Sequence, residues 1–232
     1  MSVKWVFFDI GDVLFDEDAQ HQYWLHSLLL SMRRNGVPVT WDAYHTELEA
    51  LVRIEPGTAI VQACRRWVPD DALWAAIYRE GRAEYEQMRA PRPYGMLLDN
   101  ITAVVRELQA SYSLGIIANQ HPPIVDALHD YGIADAFRVT AIDSVVGVSK
   151  PDPALFVWAL DQAQCAPRDA IMIGDRPEND VKPAKSLGMK TIRFRRGTLY
   201  SLYDPRTEAE TSDLVVRVAA RIPAAVRALD QT

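Results

Sequence analysis

Two carboxylates, Asp9 and Asp12, follow the first apolar stretch of the chain and are candidates for chemistry. Val3 to Phe8 is apolar except for Lys4 and rich in β-branched and aromatic residues, which is typical of a strand buried on both faces of a parallel sheet. In an open α/β sheet, ligands bind in the crevice outside the carboxyl ends of the strands. A strand that places Asp9 at that edge makes it a candidate for chemistry, and this stretch alone is equally compatible with two acids that only cap or turn the chain.

A lysine and two further acids are expected at the same edge of the sheet. Lys150 precedes the stiff segment Pro151-Asp152-Pro153, Asp175 follows an apolar strand at 170–174, and Asp180 lies five residues later. Clustered carboxylates repel one another and need a cation, and carboxylate, carbonyl and water oxygens suit Mg²⁺. A lysine among them could neutralise both the carboxylates and a phosphoryl group. Each residue alone could be a surface charge or a helix-leading acid, but their joint order favours a site for a cation and a phosphate.

The elements that would position these residues alternate along the second part of the chain. Helices are predicted at 97–109, 123–131, 153–164 and 179–187 and at the C-terminus, and strands at 113–118, 137–142, 170–174, 190–194 and 213–216. Strands that alternate with helices of this length indicate βαβ crossovers. The predicted fold class is therefore α/β with a parallel sheet.

Residues 17–90 show no strand pattern and are predicted to form four helices. The helical patterns cover 17–35, 41–53, 58–67 and 70–90, and Thr40 is a candidate N-cap for the second of them. These residues are interpreted as an all-helical insertion between the first strand and the next βα unit. Pro91 and Pro93 mark the return to the α/β part.

The composition excludes some classes of partner. The 232 residues carry a formal net charge of −6, which argues against a nucleic acid bound through a basic surface. Cys64 and Cys165 show no metal-ligand spacing, which fits reduced cysteines in a cytoplasmic protein. The first apolar stretch is too short to span a membrane, and no signal-peptide pattern is present, so we expect no membrane partner. The oligomeric state is left open. The arginines at 193, 195 and 196 are interpreted as a solvated strand end.

The strand-end Asp9, the string Ser149-Lys150-Pro151-Asp152-Pro153 and the pair Gly174-Asp175 with Asp180 resemble the motifs of the haloacid dehalogenase-like hydrolase superfamily. Most members of that superfamily are Mg²⁺-dependent phosphatases. The resemblance implies a Rossmann-like core over residues 1–15 and 92–232 and a helical cap of the C1 type over residues 16–91.

The same resemblance implies roles for individual residues. Asp9 would be the nucleophile that forms an aspartyl-phosphate, and Lys150 would bind the phosphoryl group. Mg²⁺ would be held by Asp9, the backbone carbonyl of Gly11 and Asp175, with Asp180 supporting the site. The implied partner is a small phosphorylated substrate.

Two positions depart from the pattern of the superfamily. Its members usually carry a second aspartate, a general acid and base, where this chain has Gly11, and Asp12 lies one residue later. Residues three apart in an extended chain do not share a face, but a turn at Gly11 could re-aim Asp12 as a displaced acid. The usual Ser or Thr of the phosphate site is replaced by Ala118, followed by Asn119, whose amide could serve in part. We therefore expect a slow or specialised phosphatase.

Two alternatives remain at this point. The departures at Gly11 and Ala118 would suit a catalytically silent binding protein on the same fold. A metal-free dehalogenase of the same superfamily also lacks the second aspartate, although Asp175 and Asp180 argue for a metal and against that alternative.

The cap is expected to carry substrate specificity, because the core would handle only the phosphoryl group. His21, Arg53 and Glu55 are the candidate substrate contacts. Tyr23 and Trp24 have helical spacing and are interpreted as part of the core of the cap.

Overall fold

A computed structural model of the chain describes residues 2–90, 94–197 and 199–231. The chain divides into two compact units. The first comprises Met1–Asp16, Met96–Arg196 and Pro205–Thr232, and the second comprises Glu17–Gly95 and Gly197–Asp204. The predicted boundary at residues 91 and 92 lies outside the described residues. The second unit also takes in 197–204, a segment that the sequence analysis had placed in the core.

The first unit is built on a parallel sheet, which confirms the predicted fold class. The strands are β1 (Trp5–Phe8), β2 (Phe15–Asp16), β3 (Met96–Leu97), β4 (Ser113–Ala118), β5 (Phe137–Ile142), β6 (Ala170–Gly174), β7 (Lys190–Phe194) and β8 (Leu214–Val216). Six of them form one sheet in the order β5-β4-β1-β6-β7-β8, and every pair of neighbours in it is parallel. β1 is central, and its Val6, Phe7 and Phe8 have no exposed surface. That burial accounts for the continuous apolar run in the sequence.

Ten α-helices accompany these strands in the described residues. They are α1 (Asp18–Arg34), α2 (Trp41–Val52), α3 (Ala59–Trp67), α4 (Asp71–Arg89), α5 (Ile101–Gln109), α6 (Ile124–Asp130), α7 (Asp143–Val146), α8 (Pro153–Gln162), α9 (Lys182–Leu187) and α10 (Ile222–Asp230). None of them is both long enough and apolar enough to cross a lipid bilayer. Cys64 and Cys165 are both free thiols.

The second unit consists of α1 to α4 around its own apolar core. The Thr40 side chain accepts a hydrogen bond from the Ala43 N–H (3.2 Å), so Thr40 is the N-cap of α2 as predicted. Trp24 packs edge-on against the rings of Tyr78 and Tyr85, with centroid distances of 5.5 and 5.4 Å. Trp24 therefore packs against the core of this unit as expected, whereas Tyr23 is 37% exposed and its interpretation as a core residue was wrong.

Two local predictions of secondary structure were wrong. The helix predicted from residue 97 begins at Ile101, because Met96–Leu97 pair with Phe15–Asp16 as a two-residue antiparallel ladder. The helix predicted from 179 begins with a π turn, Pro177–Val181, and becomes α9 only at Lys182. A two-residue strand is too short to show alternation, and a π turn has no distinct hydrophobic period.

Candidate active site

Asp9 lies at the carboxyl end of the central strand β1. Its N–H donates to the Ile173 carbonyl of β6 (2.9 Å), which fixes the backbone at this point. The Asp9 Oδ1 accepts hydrogen bonds from the Ile10 N–H (2.8 Å) and from the Lys150 Nζ (2.8 Å). Within the part of the chain that the structure describes, Oδ2 accepts none. One oxygen of Asp9 is therefore held in place while the other is available to a reactant or a metal ion.

Lys150 is buried between two carboxylates. Its Nζ lies 2.8 Å from the Asp9 Oδ1 and 2.7 Å from the Asp180 Oδ1, and its side chain is 1% exposed. Burial alone would lower the pKa of Lys150, but Asp180 and Asp9 together raise the pKa above its ordinary value. The ammonium is therefore charged and offsets part of the negative charge of the acids around it.

Asp175 and Asp180 complete an acidic cluster with Asp9. One carboxylate oxygen from each of the three residues lies within 4.8 Å of the others. Asp180 is fully engaged, because its Oδ1 meets Lys150 and its Oδ2 accepts the N–H of Arg176 (3.0 Å). Among the described residues, the Asp175 carboxylate accepts no hydrogen bond, although it is buried.

The buried negative charges of the cluster favour the binding of a cation. Burial raises the pKa of Asp175 well above its ordinary value, and the charges of Asp180, Asp9 and Asp12 raise it further. Burial also raises the pKa of Asp9 to about 6, with Asp180 adding to the effect and Lys150 opposing it. Buried carboxylates that lack hydrogen-bond donors are favourable only when a positive charge pairs with them. The cluster can therefore hold a metal ion, and the oxygen-only donor set is that of a hard divalent cation.

Gly174 allows Asp180 to reach the cluster. A Cβ atom at position 174 would overlap the Cβ, Cγ and Oδ2 atoms of Asp180. The π turn brings Asp180 back towards the end of β6, with the Asp180 N–H donating to the Arg176 carbonyl (2.8 Å). The Gly174-Asp175 pair therefore meets two requirements: Gly174 leaves room for Asp180, and Asp175 supplies a carboxylate to the cluster.

The chain turns tightly after Ile10, and Asp12 lies within this turn. The Leu14 N–H donates to the Ile10 carbonyl (2.8 Å), and Asp12 adopts the left-handed conformation with a φ of 52°. Its buried side chain pairs with Arg196, since the Arg196 Nη1 lies 3.3 Å from the Asp12 Oδ1. The Nη2 of the same guanidinium lies 3.0 Å from the Asp16 Oδ2. Asp12 is therefore paired with the Arg196 guanidinium, and its role as a displaced acid stays a prediction.

The second position that departs from the family pattern is occupied by a residue without a hydroxyl. Ala118 ends β4 and is fully buried. The Asn119 Oδ1 accepts the Lys150 N–H (2.7 Å), and the Asn119 Nδ2 donates to the Lys150 carbonyl (2.9 Å). The amide of Asn119 is thus engaged with the backbone of Lys150, and phosphate binding by either residue remains a prediction.

Arg193 and Arg196 are two residues that the sequence analysis misjudged. Arg193 is 1% exposed, and its Nε donates to the Asp175 carbonyl (3.2 Å), so the interpretation as part of a solvated strand end was wrong for Arg193. Arg196 is the partner of Asp12 described above. The one available signal was that residue 193 lies between the apolar Ile192 and Phe194 in the predicted strand at 190–194.

The predicted substrate contacts lie in the second unit. The His21 ring packs edge-on against Tyr200 (5.3 Å between centroids). Arg53 follows α2 directly, and the exposed Glu55 accepts a hydrogen bond from the Gln62 Nε2 (3.0 Å). His21, Arg53 and Glu55 stay predictions as substrate contacts.

Comparisons with known proteins agree with this geometry. A family model described as haloacid dehalogenase-like hydrolase matches residues 3–188. The chain is 28% identical over 203 residues to a glyceraldehyde 3-phosphate phosphatase of Pyrococcus abyssi, covering 84% of this chain and 82% of the relative. It is 36% identical over 86 residues to a phosphoserine phosphatase of Thermus thermophilus, covering 37% and 34%.

A solved structure shares the fold over the whole length. The crystal structure of a HAD phosphatase from Thermococcus onnurineus superposes with a TM-score of 0.62 at 20% identity, covering 97% of this chain and 98% of the other. The resemblance inferred from Asp9, Lys150 and the Gly174-Asp175 pair is thereby confirmed, and the chain belongs to the haloacid dehalogenase-like hydrolase family.

Proposed function

We propose that the protein is a Mg²⁺-dependent phosphatase that hydrolyses a small phosphorylated molecule through an aspartyl-phosphate on Asp9. The observation that carries this proposal is that, among the described residues, one oxygen of Asp9 and the buried carboxylate of Asp175 accept no hydrogen bond, while the charged Lys150 lies 2.8 Å from the other oxygen of Asp9. The relatives named above act, by their names, on glyceraldehyde 3-phosphate and phosphoserine. Both are small phosphate monoesters, which supports the same class of substrate for this chain.

The metal would be held by Asp9, Asp175 and the backbone carbonyl of Gly11. Asp180 would support the site through its hydrogen bonds, because both of its oxygens are already engaged with Lys150 and the Arg176 N–H. When bound, Mg²⁺ supplies positive charge that keeps the carboxylates ionised and withdraws charge from the phosphoryl oxygens.

Asp9 and Lys150 would carry the phosphoryl transfer. The free Oδ2 of Asp9 forms a bond to phosphorus while the bond from phosphorus to the leaving oxygen breaks, and the electron pair departs with that oxygen. Lys150 holds the Oδ1 of Asp9 at 2.8 Å, which orients the nucleophile, and its charge stabilises the phosphoryl group. Water then displaces the carboxylate from phosphorus, releasing inorganic phosphate and regenerating Asp9.

The missing second aspartate defines the class of leaving group. A general acid contributes about 10²–10⁴-fold when the leaving oxygen must be protonated. Gly11 cannot supply that proton, and Asp12, the candidate replacement, is paired with Arg196. The leaving group of an aryl phosphate, when its pKa is about 7, departs as the anion and needs little protonation by a general acid. Relative to family members that carry the second aspartate, we therefore expect this protein to hydrolyse aryl and acyl phosphates far better than simple sugar phosphates.

The proposal is tested by phosphate release from a panel of phosphorylated metabolites and an aryl phosphate, with Mg²⁺ and with EDTA. The native protein should turn over at least the aryl phosphate, only with Mg²⁺, and Asp9→Asn should not. Folded native protein that turns over nothing would favour the silent binding protein, for which Gly11 and Ala118 are the supporting observations. Chloride release from a haloacid without metal would favour the dehalogenase.

A further inference from the structure

The backbone of Lys150 is anchored to the end of β4 by two layers of hydrogen bonds. The inner layer is the reciprocal pair between the Asn119 amide and the backbone N–H and carbonyl of Lys150 (2.7 and 2.9 Å). The outer layer is centred on Asp143. The Asp143 Oδ1 accepts the Gln120 N–H (2.8 Å), and its Oδ2 accepts the Ser149 hydroxyl (2.8 Å).

The hydrogen bonds of Asp143 connect the two residues that flank the inner pair in the sequence. Gln120 follows Asn119, and Ser149 precedes Lys150, so the Asp143 carboxylate bridges the two segments on which the inner pair depends. The Ser144 hydroxyl adds a third link to the same segment, donating to the Gln120 carbonyl (2.6 Å). Asp143 itself is the first residue after β5, at the same edge of the sheet as Asp9 and Asp175.

We propose that Asp143 is a positioning residue for catalysis, which holds the Asn119–Lys150 pair in register so that the Lys150 ammonium stays between Asp9 and Asp180. This inference rests on the proposed function. Lysine has a long, flexible side chain, so the ammonium is placed accurately only if the backbone that carries it is fixed. A displacement of about 1 Å at a reacting group can cost roughly 10²-fold in rate.

The test compares Asp143→Ala, Asp143→Asn and a matched control, Asp213→Ala. Asp213 also accepts one backbone N–H and one hydroxyl, both from Thr191 (2.7 and 2.8 Å), but near the amino ends of β7 and β8. The rate of aryl phosphate hydrolysis with Mg²⁺ is measured as kcat and KM. We expect Asp143→Ala to lower kcat by roughly 10- to 100-fold with KM unchanged, and Asp213→Ala to change neither.

The conservative variant separates position from charge. In Asp143→Asn, the amide oxygen can accept the Gln120 N–H, and the amide nitrogen can donate to the Ser149 hydroxyl, which then acts as acceptor. Most of the native kcat should therefore return without the negative charge. In an Asn119→Ala background, Asp143→Ala should lower kcat no further, because both side chains act through the backbone of Lys150.

Several results would overturn the inference. They are a native kcat in Asp143→Ala, an equal loss in Asp213→Ala, and a rise in KM at unchanged kcat. If the native protein hydrolyses no substrate, the proposed function fails, and with it the catalytic part of this inference. The positional part is then decided by the crystal structure of Asp143→Ala, where intact hydrogen bonds between Asn119 and Lys150 would overturn it.

Discussion

The buried carboxylate of Asp175 is expected to destabilise the protein when no metal is bound, so Asp175→Asn should stabilise the metal-free form. Burial raises the pKa of Asp175 well above its ordinary value in the folded protein, and the charges of Asp180, Asp9 and Asp12 raise it further. Asp175 lacks the contact with Lys150 that lowers the pKa of Asp9. A buried polar group left without a partner typically costs about 1–3 kcal/mol, so removing the Asp175 charge should stabilise the metal-free protein on that order, or by roughly 2–12 °C in Tm for a chain of this size.

The direction of the pH dependence follows from the raised pKa. A carboxyl group whose pKa is higher in the folded than in the unfolded state binds its proton more tightly when folded, so stability rises as the pH falls. The advantage of Asp175→Asn should therefore shrink from pH 7 towards pH 4. The assay is thermal unfolding in EDTA and in Mg²⁺, with Asp161→Asn, an exposed position on α8, as the control. A variant less stable than the native protein in EDTA, or one still stabilised by Mg²⁺, would refute the reasoning.

Three further predictions concern the same cluster. Lys150→Met should abolish turnover and lower the free energy of unfolding by about 3–5 kcal/mol, because Asp9 and Asp180 lose their shared cation; unchanged stability in urea would contradict this. Gly174→Ala should weaken Mg²⁺ binding and cost about 1–3 kcal/mol of stability, since its Cβ overlaps Asp180; native Mg²⁺ affinity by calorimetry would count against the steric argument. Mg²⁺ affinity should fall below pH 6, where protons compete for Asp9; equal affinity at pH 5 and pH 7 would contradict the pKa assignment.

The α/β fold was predictable because its signals are local. β1, β4 and β6 are continuous apolar runs, as buried parallel strands must be, and helices separate most of the strands at ordinary lengths. The rule that ligands bind at the carboxyl ends of strands was sufficient to select Asp9 and Asp175. Lys150 and Asp180 follow no strand directly; their order in the chain made them candidates, and the resemblance to a known family implied their roles.

The contacts that sequence reasoning missed join distant positions. The Asp12–Arg196 pair spans 184 residues, and no local pattern reports such a contact. The hydrogen bonds between Asn119 and Lys150 span 31 residues and depend on how β4 and the segment before α8 meet in space. Asp143 is different, because it directly follows β5, and the strand-end rule applied to that strand would have singled it out.

The proposed mechanism requires that Asp9 becomes phosphorylated during turnover. The direct measurement is mass spectrometry of peptides after acid quenching of the protein with an aryl phosphate and Mg²⁺. The peptide containing Asp9 should gain the mass of one phosphoryl group at Asp9 in the native protein and not in Asp9→Asn. Sustained hydrolysis with Asp9 unmodified, or hydrolysis by Asp9→Asn at the native rate, would contradict it.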